Sequence, residues 1–101
     1  MSIDDRIEQQ SQYEKWSEKI NELMTHRLEL TDIRKEAIED RGNVLWFLGR
    51  FRNKLTDSTI NNLECILNEL SNTIDYASLF INDIDADIDN AEYELQEYTN
   101  N

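Results

Sequence analysis

The feature that most constrains this chain is an apolar repeat in its C-terminal half. From residue 60 onward, apolar side chains recur at alternating spacings of three and four residues over nearly six heptads. This period puts them on one stripe of an α-helix, and no strand can use it. The spacing predicts one long helix over about 58–99, with Asp57 or Ser58 as its N-cap. The members of the repeat are Ile60, Leu63, Leu67, Leu70, Ile74, Ala77, Ile81, Ile84, Ile88, Ala91, Leu95 and Tyr98.

The N-terminal half repeats less regularly. Between Leu23 and Leu30 the seam position falls to His26 or Arg27, which predicts a register defect of the stammer type. We expect a helix over about 3–40, ended by Gly42 in the C′ position that glycine favours. The apolar positions of this half are Tyr13, Trp16, Ile20, Leu23, Leu30, Ile33 and Ala37.

A short apolar segment follows Gly42. Val44, Leu48, Phe51 and Leu55 continue the helical spacing, which predicts a third, short helix over about 44–55. Two long helices joined by so short a connection run antiparallel if they pack on each other. We therefore predict an all-α fold: one helical domain over 1–101, forming an elongated antiparallel hairpin of coiled-coil type with the short helix near the bend.

Composition supports this prediction and limits the function classes. The 101 residues include two glycines and no proline, so turn-forming residues are scarce for a strand-rich fold. A single cysteine, Cys65, forms no intrachain disulfide, which suits a reducing compartment. The N-terminus has neither the basic nor the apolar region of a signal peptide, and the longest apolar run is far too short to span a membrane. We expect a cytoplasmic protein.

The charge is strongly asymmetric. Residues 1–54 hold all ten bases and eleven acids, whereas residues 55–101 hold eleven acids and no base. Carboxylates are densest near the C-terminus, where they flank the apolar seam in two stripes. We call this set the acidic face. Its members are Asp83, Asp85, Asp87, Asp89, Glu92, Glu94 and Glu97.

The acidic face has two interpretations. It can imitate nucleic-acid phosphates and occupy the basic surface of a protein that binds DNA or RNA, as viral counter-defence proteins do. It can also be a solvated face that keeps a long helix soluble. The first predicts an inhibitor or regulator, a DNA mimic with a basic protein partner and no direct contact with nucleic acid.

Two apolar surfaces suggest further contacts. Near the bend, Trp46, Phe47 and Phe51 lie beside arginines, a composition typical of binding hot spots, although the same residues can simply cap the hairpin. On the long helix, a second set of mostly apolar residues lies off the seam, where contact with another surface would bury it. We expect a homodimer to form through this set. That set comprises Tyr76, Leu79 and Phe80 together with Cys65, Ile66 and Ala86.

The sequence gives little support for a catalytic or metal-binding function. One histidine and one cysteine give no nucleophile with a neighbouring base, and no glycine-rich phosphate loop or zinc spacing occurs. The alternating aspartates from Asp83 resemble an EF-hand loop, but Ile88 stands where the loop needs glycine. We therefore expect no enzyme, cofactor or metal site. The alternative to the acidic inhibitor is a coiled-coil assembly, scaffold or chaperone subunit of a larger complex.

Overall fold

The chain folds as two long helices. The computed structural model describes residues 3–100, with the side chains at positions 4, 5 and 98–100 left undescribed. Helix α1 spans Ile3–Phe51, a 3-10 turn spans Arg52–Lys54, and α2 spans Asp57–Asn100. No strand occurs in this part of the chain. The predicted all-α helical hairpin is thus confirmed.

The predicted break at Gly42 and the separate helix over 44–55 are wrong, because α1 continues through Gly42 as far as Phe51 and a 3-10 turn follows it. Neither glycine in the described chain has a positive φ, so neither adopts the left-handed conformation of a C′ residue. A mid-helix glycine costs only about 1 kcal/mol relative to alanine. Tertiary packing on both sides of Gly42 offsets that cost, since Ala37 and Leu48 are buried.

The burial of α1 is interrupted where the register defect is predicted, since no residue between Leu23 and Leu30 is buried or half-buried. Continuing the regular spacing through these two leucines gives Arg27, Arg34 and Arg41, of which only Arg34 is half-buried. Arginine can lay its aliphatic stem along a neighbouring helix while its guanidinium stays in water. Arg34 accordingly takes the half-buried position that we assigned to Ile33, which is 48% exposed.

Helix α2 begins one residue earlier than expected. The backbone N–H of Thr59 donates a hydrogen bond to Oγ1 of Thr56 at 3.2 Å, so Thr56 is the N-cap rather than Asp57 or Ser58. Asp57 lies in the first turn, where its charge interacts favourably with the helix dipole. The apolar seam of α2 is confirmed from Ile60 to Leu95, since every member is buried or half-buried; Tyr98 lies outside the described side chains.

The chain divides into two compact units, each built from both helices. The bend unit spans Leu30–Phe80, and the terminal unit joins α1 up to Glu29 with α2 from Ile81. In the bend unit, Arg34 contacts Ser78 and Arg52 contacts Glu64, so the two helix segments run antiparallel. The buried residues of the described chain are Ile20, Ala37, Leu48, Ala77, Ile81, Ile88 and Ala91.

Candidate protein-binding surfaces

The acidic face lies on continuous helix in the terminal unit. The seam residues Ile84, Ile88 and Ala91 turn inward, and the carboxylates between them therefore project on either side of the seam. Two of the carboxylate residues, Asp85 and Glu94, are half-buried. The other five are exposed, namely Asp83, Asp87, Asp89, Glu92 and Glu97.

One carboxylate of the acidic face is bound within the chain. Nε of Arg27 donates to Oδ1 of Asp85 at 2.6 Å, and Nη2 of Arg27 donates to Oδ2 at 3.5 Å. This two-pronged pairing raises the pKa of Arg27 above its ordinary value, through the hydrogen bond first and the charge of Asp85 second. Asp85 therefore helps to join α1 to α2, and its charge is less available to a partner than the rest of the acidic face.

A second carboxylate interacts with a tyrosine one turn away. The hydroxyl of Tyr93 donates a hydrogen bond to Glu97, and this bond is the main reason that the pKa of Tyr93 is raised above 10.0. The negative charges of Glu97 and Glu94 raise it further, because they disfavour a phenolate beside them. Tyr93 is 61% exposed, so it adds a hydrogen-bonded aromatic ring to the same surface.

The charge density of the acidic face is close to that of a nucleic-acid strand. Seven carboxylates occur in the 15 residues from Asp83 to Glu97. At 1.5 Å of rise per residue, this is one negative charge per about 3 Å of helix axis, or about 3.5 Å with the paired Asp85 left out. A DNA strand carries one phosphate charge per about 3.4 Å. Helix α2 contains no lysine or arginine to reduce this density.

The same aspartates do not form a calcium loop. The segment from Asp83 to Glu94 is α-helical throughout, whereas an EF-hand needs an irregular loop that wraps its oxygens around the ion. Within the described residues, no group of three or more histidine, cysteine, aspartate or glutamate side chains is arranged to hold a metal ion.

The bend aromatics form one connected cluster in the last turns of α1. The Phe51 ring lies 5.0 Å from that of Phe47 and 6.2 Å from that of Trp46, measured between centroids. The guanidinium carbon of Arg50 lies 5.7 Å from the Trp46 ring and 5.9 Å from the Phe51 ring. Trp46 is 62% exposed, whereas Phe51 is half-buried.

A shallow apolar groove lies between the helices of the bend unit. It has a volume of about 230 Å³, and the rings of Tyr76 and Phe80 stack beside it at 6.5 Å between centroids. Tyr76, Leu79 and Phe80 are each about half exposed or more, as the sequence predicts for an apolar surface off the seam. The groove is lined by Leu30, Ile33, Thr73, Tyr76, Ala77 and Phe80.

Two participants in these surfaces were missed from the sequence. The spacing places Ile33 on the seam, but Ile33 lines the same groove as Phe80. The spacing predicts a register defect at His26 or Arg27, but Arg27 pairs with Asp85 of the acidic face. The seven-residue spacing of Arg27 and Arg34 is the signal that could have identified both, because it leads to the half-buried Arg34 and moves Ile33 off the seam.

The chain matches no family model, no curated protein and no solved structure. Among the described residues, neither helix has a stretch apolar enough to cross a membrane.

Proposed function

We propose that this protein is a non-catalytic binding protein whose acidic face docks on a basic surface of a protein partner and inhibits or regulates it. The observation that carries the proposal is the density of carboxylates in the acidic face, one per about 3–3.5 Å of helix axis, which is close to the phosphate density of a DNA strand. A basic channel that binds nucleic acid through its phosphates would accept such a helix by the same electrostatics. The protein would act as a mimic and would not itself contact nucleic acid.

Rigidity supports this role. A surface that replaces a nucleic-acid strand must hold its charges at fixed spacing, because a disordered acidic tail would lose conformational entropy on binding. Here the carboxylates stand on a helix that is anchored by buried Ile88 and Ala91 and joined to α1 through Arg27 and Asp85. The pair also leaves Asp85 as a structural member of the face rather than a contact residue.

The test removes charge without removing the helix. The acidic-face variant changes Asp83, Asp87 and Asp89 to asparagine and Glu92 to glutamine. The control variant makes the same change in net charge on α1, at four exposed positions: Glu8, Glu14, Glu18 and Glu22. Circular dichroism of both variants should match that of the original protein.

The proteins are immobilised and exposed to lysate of the cells that produce this chain, and bound proteins are eluted with salt or with duplex DNA. We expect nucleic-acid-binding proteins to be retained by the original and the control, displaced by DNA, and not retained by the acidic-face variant. Equal retention by all three would refute the proposal.

A second candidate is an assembly or scaffold subunit, which the exposed aromatic residues favour. Trp46 and Tyr76 are each 62% exposed, and Leu79 is 54% exposed. Contacts through such side chains would resist salt, because burial of apolar surface is not screened as charge is. Salt-resistant retention that is lost in a Leu79→Asp, Phe80→Asp variant, and unchanged in the acidic-face variant, would favour this candidate.

A further inference from the structure

The two flanks of the helix pair in the bend unit are chemically different. On one flank, Nη1 of Arg34 lies 3.4 Å from Oγ of Ser78, and Nη2 of Arg52 lies 3.5 Å from Oε1 of Glu64. These polar contacts join α1 to α2. The other flank carries the open groove, which is lined mostly by apolar atoms.

The apolar surface on the groove side extends along both helices. On α1, Phe47 follows Ile33 by two seven-residue repeats, and on α2, Phe80 follows Ile66 by the same interval, so each pair shares one side of its helix. We call this surface the apolar flank, and its members are between 38% and 62% exposed. They are Ile33, Phe47, Ile66, Tyr76 and Phe80.

The chain as a whole exposes more surface than a compact protein of its mass. The chain has an accessible surface of 7791 Å², whereas a compact monomer of 12.0 kDa has about 6,000 Å². The excess of about 1,800 Å² exceeds the roughly 800 Å² that each partner contributes to a standard interface. A second copy on the apolar flank would cover part of that excess.

Charge also favours a second copy at this place. The bend unit, residues 30–80, has eight acids and six bases, a net charge of −2, whereas the other residues have fourteen acids and four bases, a net charge of −10. Two copies that meet through the bend unit therefore bring together the least charged part of each chain, which keeps their mutual repulsion low.

The charges beside the flank specify an orientation. Arg50 lies in the last turn of α1 and Lys54 in the 3-10 turn that follows, and Glu36 and Asp40 each lie 14 residues, or about four turns, earlier. A parallel pair would place acids on acids and bases on bases. An antiparallel pair places the bases of each copy toward the acids of the other, which is the self-complementary arrangement of a two-fold interface.

We propose that the apolar flank of the bend unit binds a second copy of this chain in an antiparallel, two-fold dimer. The dimer does not require the acidic face, which lies on the terminal unit and remains available for a partner. Dimer formation and acidic-face binding can therefore fail separately: the acidic-face variant is expected to dimerise as the original protein does.

The apolar contribution is tested by sedimentation equilibrium of the full chain over a range of concentrations. The original protein should shift from 12.0 kDa to twice that mass. Phe80→Asp should weaken dimerisation on the order of tenfold or more, because it places a charge in an apolar contact. Leu45→Asp is the control, since Leu45 is 50% exposed but outside the groove, and should dimerise normally. A monomer at all concentrations would overturn the proposal.

The orientation is tested by charge reversal. One variant carries Glu36→Lys and Asp40→Lys, and the other carries Arg50→Glu and Lys54→Glu. Each alone should dimerise more weakly, and an equimolar mixture should recover dimers, because each variant then meets its complement. The first variant adds four positive units to the net charge of −12 and so carries −8. If only general charge repulsion mattered, this variant would dimerise better than the original protein. That result, or a mixture that fails to recover, would refute the antiparallel arrangement.

Discussion

Replacing the two glycines of α1 by alanine tests the continuity of this helix. Both lie inside Ile3–Phe51 without a positive φ. A Cβ added at either position would have no neighbouring atom within 4 Å, apart from its chain neighbours and the backbone of its own helix. Gly42→Ala and Gly49→Ala therefore lose no packing and gain helix propensity.

The expected gain is about 1 kcal/mol of unfolding free energy for each substitution, because glycine in a helix interior costs that much relative to alanine. The two positions are seven residues apart, or about 10 Å along the axis, so their effects should add to about 2 kcal/mol. For a domain of this size, each kcal/mol raises Tm by about 4–8 °C.

The assay is urea and thermal unfolding followed by far-UV circular dichroism, at one protein concentration for all variants. Gly49→Ala serves as the internal reference, since both the sequence and the structure place Gly49 within a helix. If Gly42→Ala destabilises the protein while Gly49→Ala stabilises it, the chain leaves the helix at Gly42 in a left-handed conformation that alanine resists. That outcome would refute a continuous α1.

Two further predictions concern the seam and the acidic face. Ile81→Ala should lower the free energy of unfolding by about 2–5 kcal/mol, because Ile81 is 3% exposed, whereas Ile38→Ala at a 51% exposed position outside the apolar flank should cost much less; urea unfolding compares the two. Glu97→Gln should lower the pKa of Tyr93 toward its ordinary value, measured by ultraviolet absorbance of the phenolate, with Glu92→Gln as the control. Because the pKa of Tyr93 is raised in the folded protein, its hydrogen bond contributes fully to stability at pH values below the ordinary pKa of tyrosine. This contribution is lost as the pH rises through the raised pKa of Tyr93. An unchanged titration of Tyr93 in the Glu97→Gln variant would show that the bond is absent.

The two helices differ in how far their sequences determine them. Every seam position of α2 is apolar, so periodicity alone predicts its burial from Ile60 to Leu95. In α1 arginines stand at three positions with this spacing, and only Arg34 among them is half-buried, so the apolar periodicity alone does not determine which residues of α1 pack on α2.

The acidic face could also be predicted only in part from the sequence. Exposure of Asp83, Asp87 and Asp89 follows from their positions beside an apolar seam and was predictable. The pairing of Asp85 with Arg27 was not, because it depends on the alignment of α1 against α2, and the sequence misplaced that alignment at Arg27. The sequence does not predict the continuity of α1 through Gly42, because glycine is common just after the end of a helix. Whether a helix ends at a particular glycine depends on the tertiary packing around it.

The short connection between α1 and α2 has a consequence for the order of folding. The contact between Arg52 and Glu64 closes a loop of 12 residues, whereas that between Arg27 and Asp85 closes one of 58. Chain entropy makes the longer closure costlier by about 1.4 kcal/mol when neither contact exists yet. Once the helices have met beside the bend, each later contact closes only the next turn. The chain is therefore expected to zip from the bend toward its two termini, so that the acidic face is assembled last.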